Sequence, residues 1–255
     1  MSVEVVSADG LAFQYNAVDV LTDISFDLSE GGYIGLVGPN GSGKTTLIKL
    51  LLGFYKPTNG IVKLFGFDPA DFQDWHKIGY LPQKIVSFNP NFPATVKEIV
   101  ALGLVSRKKL PKRPGRADKL AVGHAMELMD IMDIKNELIG ELSGGQQQRA
   151  LIAKAIVSEP ELLILDEPTT AVDPETREKF FSLLKELNGQ KRVTIIIITH
   201  DTGTIGKYAS KLLYLDKKII FYGSFEAFCV SSEMSDYFGE YSQHLICHRH
   251  DTANN

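Results

Sequence analysis

The segment Gly38-Pro39-Asn40-Gly41-Ser42-Gly43-Lys44-Thr45 constrains this chain more than any other. A glycine, four residues and then Gly-Lys-Thr is the spacing of a phosphate-binding loop. The flanks agree: Tyr33–Val37 is a short apolar run suited to a strand, and Thr45–Leu52 has helical spacing with Gly53 as its stop. Glycines let the backbone wrap closely and aim several N–H groups at phosphate oxygens, beside the positive end of the following helix. Gly38, Pro39, Asn40, Gly41, Ser42, Gly43, Lys44, Thr45 and Thr46 are therefore the candidate nucleotide-phosphate residues. Lys44 would bridge the β- and γ-phosphates and Thr45 would offer its hydroxyl to Mg²⁺. An ordinary Gly-rich turn is the alternative, and the strand-then-helix context weighs against it.

Two further segments deliver polar groups from the ends of apolar runs. Leu162–Leu165 runs into Asp166 and Glu167, and Val193–Ile198 runs into Thr199, His200 and Asp201. Uniformly apolar runs of this length suit strands of a parallel sheet covered on both faces. Asp166 would then reach the C-terminal edge of such a sheet and hold Mg²⁺, and Glu167 could polarise a water aimed at the γ-phosphate. His200 would reach the γ-phosphate and help fix that water. Taken singly, solvated acids at a strand end and a structural histidine are equally ordinary.

The remainder of the chain alternates strand and helix around a helical insert. Val3–Val6, Leu11–Tyr15 and Leu21–Leu28 read as strands broken by Asp-Gly and Asn-Ala, and Ile61–Phe65 and Lys77–Leu81 as further strands. In Leu120–Ile134 the residues Ala121, Ala125, Leu128, Met129 and Met132 share one helical face. A helix follows Gln146, and another spans Pro174–Asn188 with Gly189 after it. The expected fold is α/β: a three-layer core, an N-terminal antiparallel β layer, and a helical lobe over about 85–158.

Leu142-Ser143-Gly144-Gly145-Gln146 decides between families. Ser143 can cap the next helix, and the paired glycines let another surface approach its N-terminal amides, a second anion-binding helix end. A plain cap leaves Gly-Gly-Gln unexplained. The pattern resembles the signature of the ABC ATPases, and the likeness spans essentially the whole chain. It implies a P-loop NTPase (RecA-like) core of ABC ATPase type over 1–243, with core segments 1–84 and 159–225 and the helical lobe at 85–158.

The resemblance assigns further roles. It makes Tyr15 an aromatic stacking on adenine with Val20 beside it, and Gln83 a glutamine that joins core to lobe and senses Mg²⁺ and water. Ala171-Val172-Asp173 becomes the loop after the catalytic glutamate, with Val172 where leucine is common. The catalytic set is Glu167, His200, Lys44 and Gln83, with Thr45, Gln83 and Asp166 toward Mg²⁺ and ATP as substrate. Two copies would dimerise head to tail, each ATP held between one phosphate loop and the partner's Leu142–Gln146. A multi-span membrane permease would dock near Gln83 and the lobe, at the cytoplasmic face of the membrane, with an extracytoplasmic metal-binding protein acting indirectly.

Ser87–Val96 resembles the corresponding segment of ATPases serving zinc and manganese importers, so a divalent metal cation, zinc first, is the expected cargo. The net charge of −4 gives no global attraction to nucleic acid, and no partner of that class is expected. No signal peptide and no apolar run of membrane-spanning length is visible. Two cysteines, Cys229 and Cys247, are too few for a disulfide scaffold. The tail 244–255 carries His244, Cys247, His248 and His250, ligand types for Zn²⁺ in a spacing that matches no closed site. The basic run Arg107–Arg113, extended by Arg116, reads as a solvated loop with lipid or permease contact as the alternative. A soluble ABC ATPase of translation or repair, or a regulator without turnover, are the competing readings. A single ATPase unit with a short insert argues against the first, and intact Asp166, Glu167 and His200 against the second.

Overall fold

Asp9-Gly10, which reads as a strand break, lies inside one continuous strand. In the computed structural model, which describes residues 4–83, 89, 92–107, 115–169, 174–200 and 205–238, β1 runs Glu4–Tyr15 and β2 Val18–Ser29. Gly10 has φ +56 and the β1–β2 register shifts between Ala8 and Leu11, so the glycine absorbs a bulge instead of ending the strand. β4 (Asn59–Leu64) pairs on the other edge of β1, giving an antiparallel sheet ordered β2-β1-β4.

The chain forms two compact units, Met1–Phe72 with Thr194–Asn255, and Gln73–Val193. The first holds the antiparallel sheet and also β3 (Tyr33–Val37), β7 (Thr194–Ile198), β8 (Lys211–Asp216) and β9 (Lys218–Gly223). β3 pairs in parallel with both β7 and β8, and β9 returns antiparallel to β8. Every residue of β3 and β7 is buried, as their unbroken apolar runs require. α1 (Lys44–Leu51) follows β3 directly, and α6 (Phe225–Val230) and α7 (Ser232–Phe238) come last; the helix numbers between belong to the second unit.

That second unit begins with β5 (Ile78–Leu81), parallel to the wholly buried β6 (Leu162–Asp166). Its helices are α2 (Val96–Ala101), α3 (Arg116–Leu128), α4 (Gly144–Ile156) and α5 (Pro174–Lys191). α3 ends at Leu128, four residues short of Met132, and its buried face is Val122, Ala125 and Met126, continued by Met129 just past the end. The expected stripe is thus right at Ala125 and Met129 and wrong at Leu128, which is 37% exposed. α5 runs through Gly189 to Lys191; Arg192, at φ +55, makes the left-handed exit assigned to the glycine. Gly79 in β5 lies against the Ala155 carbonyl oxygen, 2.2 Å from where a Cβ would sit, so α4 packs closer to this strand than any side chain would permit.

Candidate nucleotide site

The phosphate loop in the first unit is built by backbone that only glycine adopts easily. Gly38 has φ +151 and its missing Cβ would sit 2.0 Å from the Leu215 carbonyl oxygen; Gly43, at φ +99, starts α1 with its would-be Cβ 2.6 Å from Leu21. Gly41 is also left-handed, at φ +79, yet a Cβ there meets nothing within 4 Å. Gly38→Ala should therefore cost about 2–3 kcal/mol of stability, and Gly41→Ala about 1 kcal/mol, read as shifts in urea midpoint. Equal costs at the two sites would show that the close approach at Leu215 is not what holds the loop.

Lys44 is nearly buried, and its Nζ donates to the carbonyl oxygens of Gly38 and Pro39, both at 2.8 Å. The ammonium is thus held over the loop it must serve, and an arriving phosphate can replace carbonyl dipoles with full negative charge. Ser42 is 1% exposed and its Oγ has no hydrogen-bond partner among the described residues, while its backbone is tied to β8–β9 through Lys217 N–H to the Ser42 carbonyl at 3.0 Å. A buried hydroxyl left unsatisfied is costly, and a phosphate oxygen is a natural acceptor for it. Both observations fit a polyphosphate in this cradle.

Tyr15 closes β1 and is 40% exposed. Its ring meets Phe13 edge-on at 4.8 Å and Tyr55 edge-on at 5.7 Å. Burial, then the Tyr55 hydroxyl, raise the Tyr15 phenol above its ordinary value. Val20 is half-buried, and its carbonyl oxygen would stand 3.1 Å from a Cβ on Gly43, so the residue expected beside the base also walls the phosphate loop. His200 is exposed and leaves β7 two residues past Ile198, which registers with Leu36 of β3. Parallel pairing thereby sends His200 and the phosphate loop from the same strand ends of this unit.

In the second unit the same rule joins Gln83 and Glu167. Leu81 registers with Leu165 across the parallel β5–β6 pair, and each of the two polar residues lies two positions beyond its member of that pair. Asp166 is 1% exposed at the last position of β6. Burial, then the Asp166 charge, push the Tyr80 phenol up to about 12. Glu167 is half-buried and holds φ +52, a left-handed backbone that sequence periodicity does not reveal. Non-glycine residues in that region cost of order 1 kcal/mol and cluster at functional sites.

Ser143 is the N-cap of α4. Its Oγ accepts from Gln146 N–H at 3.3 Å, while Gln146 Oε1 accepts from the Ser143 N–H at 3.0 Å, completing a capping box. Leu142 is buried, and its carbonyl oxygen accepts from Gln147 Nε2 at 3.1 Å. Ser143 and Gly144 are exposed, and a Cβ on Gly144 would meet nothing within 4 Å. Unlike Gly38, this glycine answers no steric demand among the described residues. Two further residues, one in each unit, carry no signal in the sequence: Gln148 is buried and donates through Nε2 to the Pro168 carbonyl oxygen, and Tyr55 joins the Tyr15 cluster. Neither has a motif to announce it.

The oxygen donors Thr45, Asp166 and the Gln83 amide are of the kind Mg²⁺ prefers. Of Ser87–Val96, only Asn89 and Phe92–Val96 are described, with Thr95 capping α2 through Glu98. Ala171–Asp173, Lys108–Pro114 and the His/Cys tail lie outside the described residues. Among the described residues no helix is long and apolar enough to cross a membrane.

The family model for ABC transporters matches residues 21–170, which span the phosphate loop, the Ser143 helix tip and Glu167. The chain belongs to the ABC transporter family. This ABC ATPase is 46% identical over 221 residues to the zinc uptake system ATP-binding protein ZurA of Listeria innocua, covering 87% of this chain and 86% of the relative. It is 35% identical to the manganese transport system ATP-binding protein MntB of Bacillus subtilis, with 92% of each covered. Among solved structures, an inward-facing metal-chelate type ABC transporter aligns at TM-score 0.78 and 30% identity, covering 92% of this chain and 89% of the other. The fold is that of an ABC ATPase cassette, and the chain is an ATP-hydrolysing transporter subunit.

Proposed function

We propose that this ABC ATPase powers import of a divalent metal cation, zinc in preference to manganese, through a permease carried on another polypeptide. The similarity to a zinc uptake ATP-binding protein along 87% of the chain carries this reading. The metal-chelate transporter among its structural relatives supports the same class of cargo. The subunit would sit at the cytoplasmic face of the membrane by docking to that permease near Gln83 and the helical lobe.

In the hydrolysis step the glycine-lined loop and Lys44 bind the β- and γ-phosphates, and Tyr15 with Val20 bind the base. Glu167 orients the attacking water and takes its proton, and His200 holds the γ-phosphate region. Thr45, Asp166 and Gln83 would hold Mg²⁺, which when bound would supply positive charge to offset that of the phosphates. The Ser143–Gln146 helix tip supplies amides to the ATP of a second copy, so a head-to-tail pair is the hydrolysing form. The open space at Gly144, purposeless within one chain, supports that arrangement.

Reconstitution with the permease in vesicles tests the cargo. ATP-dependent uptake of ⁶⁵Zn²⁺ should exceed that of ⁵⁴Mn²⁺ at equal free concentrations. Preferential manganese uptake would overturn the choice of zinc alone, whereas ATP turnover with neither metal transported would overturn metal import.

A further inference from the structure

We propose that Tyr55 is a positioning residue for the nucleotide base, holding the Tyr15 ring at a fixed place relative to the phosphate loop. The inference rests on the reading of Tyr15 as the base platform. Tyr15 needs such support because it ends a strand at a hairpin tip, next to Asn16 and Ala17 at φ +46 and +64, and two-fifths of it is exposed. Strand ends at turns are where pairing frays first.

Three rings form a closed cluster here. Phe13 is almost buried and stacks on Tyr55 at 5.4 Å with 19° between planes. Tyr15 meets both of them nearly perpendicularly, Phe13 at 88° and Tyr55 at 89°. Edge-to-face contacts of this kind fix ring orientation as well as adding attraction. Phe13 shares a strand with Tyr15 and moves with it; Tyr55 does not, and therefore gives the ring an independent reference.

That reference is α1 itself. Phe54 and Tyr55 N–H both donate to the Lys49 carbonyl oxygen, at 2.8 and 3.3 Å, and the Lys49 ammonium lies 5.4 Å from the centre of the Tyr55 ring. Thr58 then ties the same turn back to β1, its N–H donating to the Ala12 carbonyl oxygen at 2.8 Å and its Oγ1 accepting from Gln14 N–H at 3.3 Å. Lys44, at the start of α1, sits in the phosphate cradle, about 7.5 Å from Lys49 at the usual helical rise. Tyr55 thus links the base platform to the phosphate site through one short rigid helix. The Tyr15 and Tyr55 hydroxyls adjoin, and Thr46 in the first turn of α1 lies beside Tyr15 as well.

The test compares Mg²⁺-ATP with Mg²⁺-tripolyphosphate, which offers the cradle its phosphates and no base. Titration calorimetry on the full chain should show Tyr55→Ala weakening ATP about five-fold and leaving tripolyphosphate unchanged, while Tyr55→Phe, which keeps the ring, stays within about two-fold of the parent. In a Tyr15→Ala background, Tyr55→Ala should cost nothing further. No loss of ATP affinity, an equal loss for both ligands, or a full loss persisting without Tyr15 would each overturn the inference. The reading of Tyr15 fails separately, and takes the inference with it, if Tyr15→Ala alone leaves the ATP-to-tripolyphosphate ratio unchanged. The parent's thermal midpoint, kept by Tyr55→Phe, guards against misfolding.

Discussion

Glu167→Gln should lower steady-state ATP hydrolysis by at least about 10²-fold while nucleotide affinity stays within about two-fold of the parent. The amide keeps the shape of the carboxylate and its place after β6, and loses only the capacity to draw a proton from water. With turnover blocked and binding intact, nucleotide-bound pairs should accumulate, visible as a Mg²⁺-ATP-dependent shift in light-scattering mass. The backbone sharpens the expectation. Glu167 sits at φ +52, a conformation a carboxylate has no local reason to adopt, directly after an aspartate that is 1% exposed. Strain retained at one residue beyond a buried strand points to a demand on where that side chain goes. Hydrolysis at the parental rate in Glu167→Gln would move the water-orienting role to another group, with His200 the first to examine.

The site was legible wherever chemistry imposes a residue type at fixed spacing. Glycine at 38 and 43 is required by contacts of 2.0 and 2.6 Å, so the loop announces itself as a string of letters. Asp166 and His200 were equally visible, because a strand buried on both faces must be apolar throughout, and its first polar residues then mark its end. Local stops are less legible. Gly10 and Gly189 look like punctuation, yet one absorbs a bulge in β1 and the other lies inside α5, where Arg192 makes the left-handed exit. Glycine permits such a turn without compelling it, and the sheet or helix on either side decides.

Tyr55 and Gln148 show a different limit. Each acts through a partner far along the chain, Tyr55 on a ring in β1 and Gln148 on the carbonyl oxygen of Pro168. No periodicity encodes such pairings. Gln148 is one of three consecutive glutamines at the start of α4, yet it is 3% exposed and fastens α4 to the turn that follows Glu167. The same helix therefore carries the Ser143 tip at one end and, a turn later, a tie to the backbone beside Glu167.

Gly144→Asp separates what that tip does for its own chain from what it does for a second one. Within the chain the substitution should be harmless or better: a Cβ at 144 meets nothing within 4 Å, and a carboxylate in the first turn of α4 favours the helix by about 0.3–1 kcal/mol. The thermal midpoint should hold or rise slightly, and ATP binding by the isolated subunit should be unchanged, because Gly144 is not one of the residues that build the phosphate loop. Hydrolysis should nonetheless fall by about 10²-fold or more, since the new charge stands where the proposed head-to-tail pair puts another copy's triphosphate, and like charges brought together at an interface cost several kcal/mol. Gly144→Ala, smaller and neutral, should retain far more activity. A Gly144→Asp protein that hydrolyses ATP at the parental rate would mean that the Ser143 helix end meets no phosphate during turnover, and the head-to-tail pair would have to be abandoned even if Glu167 kept its role.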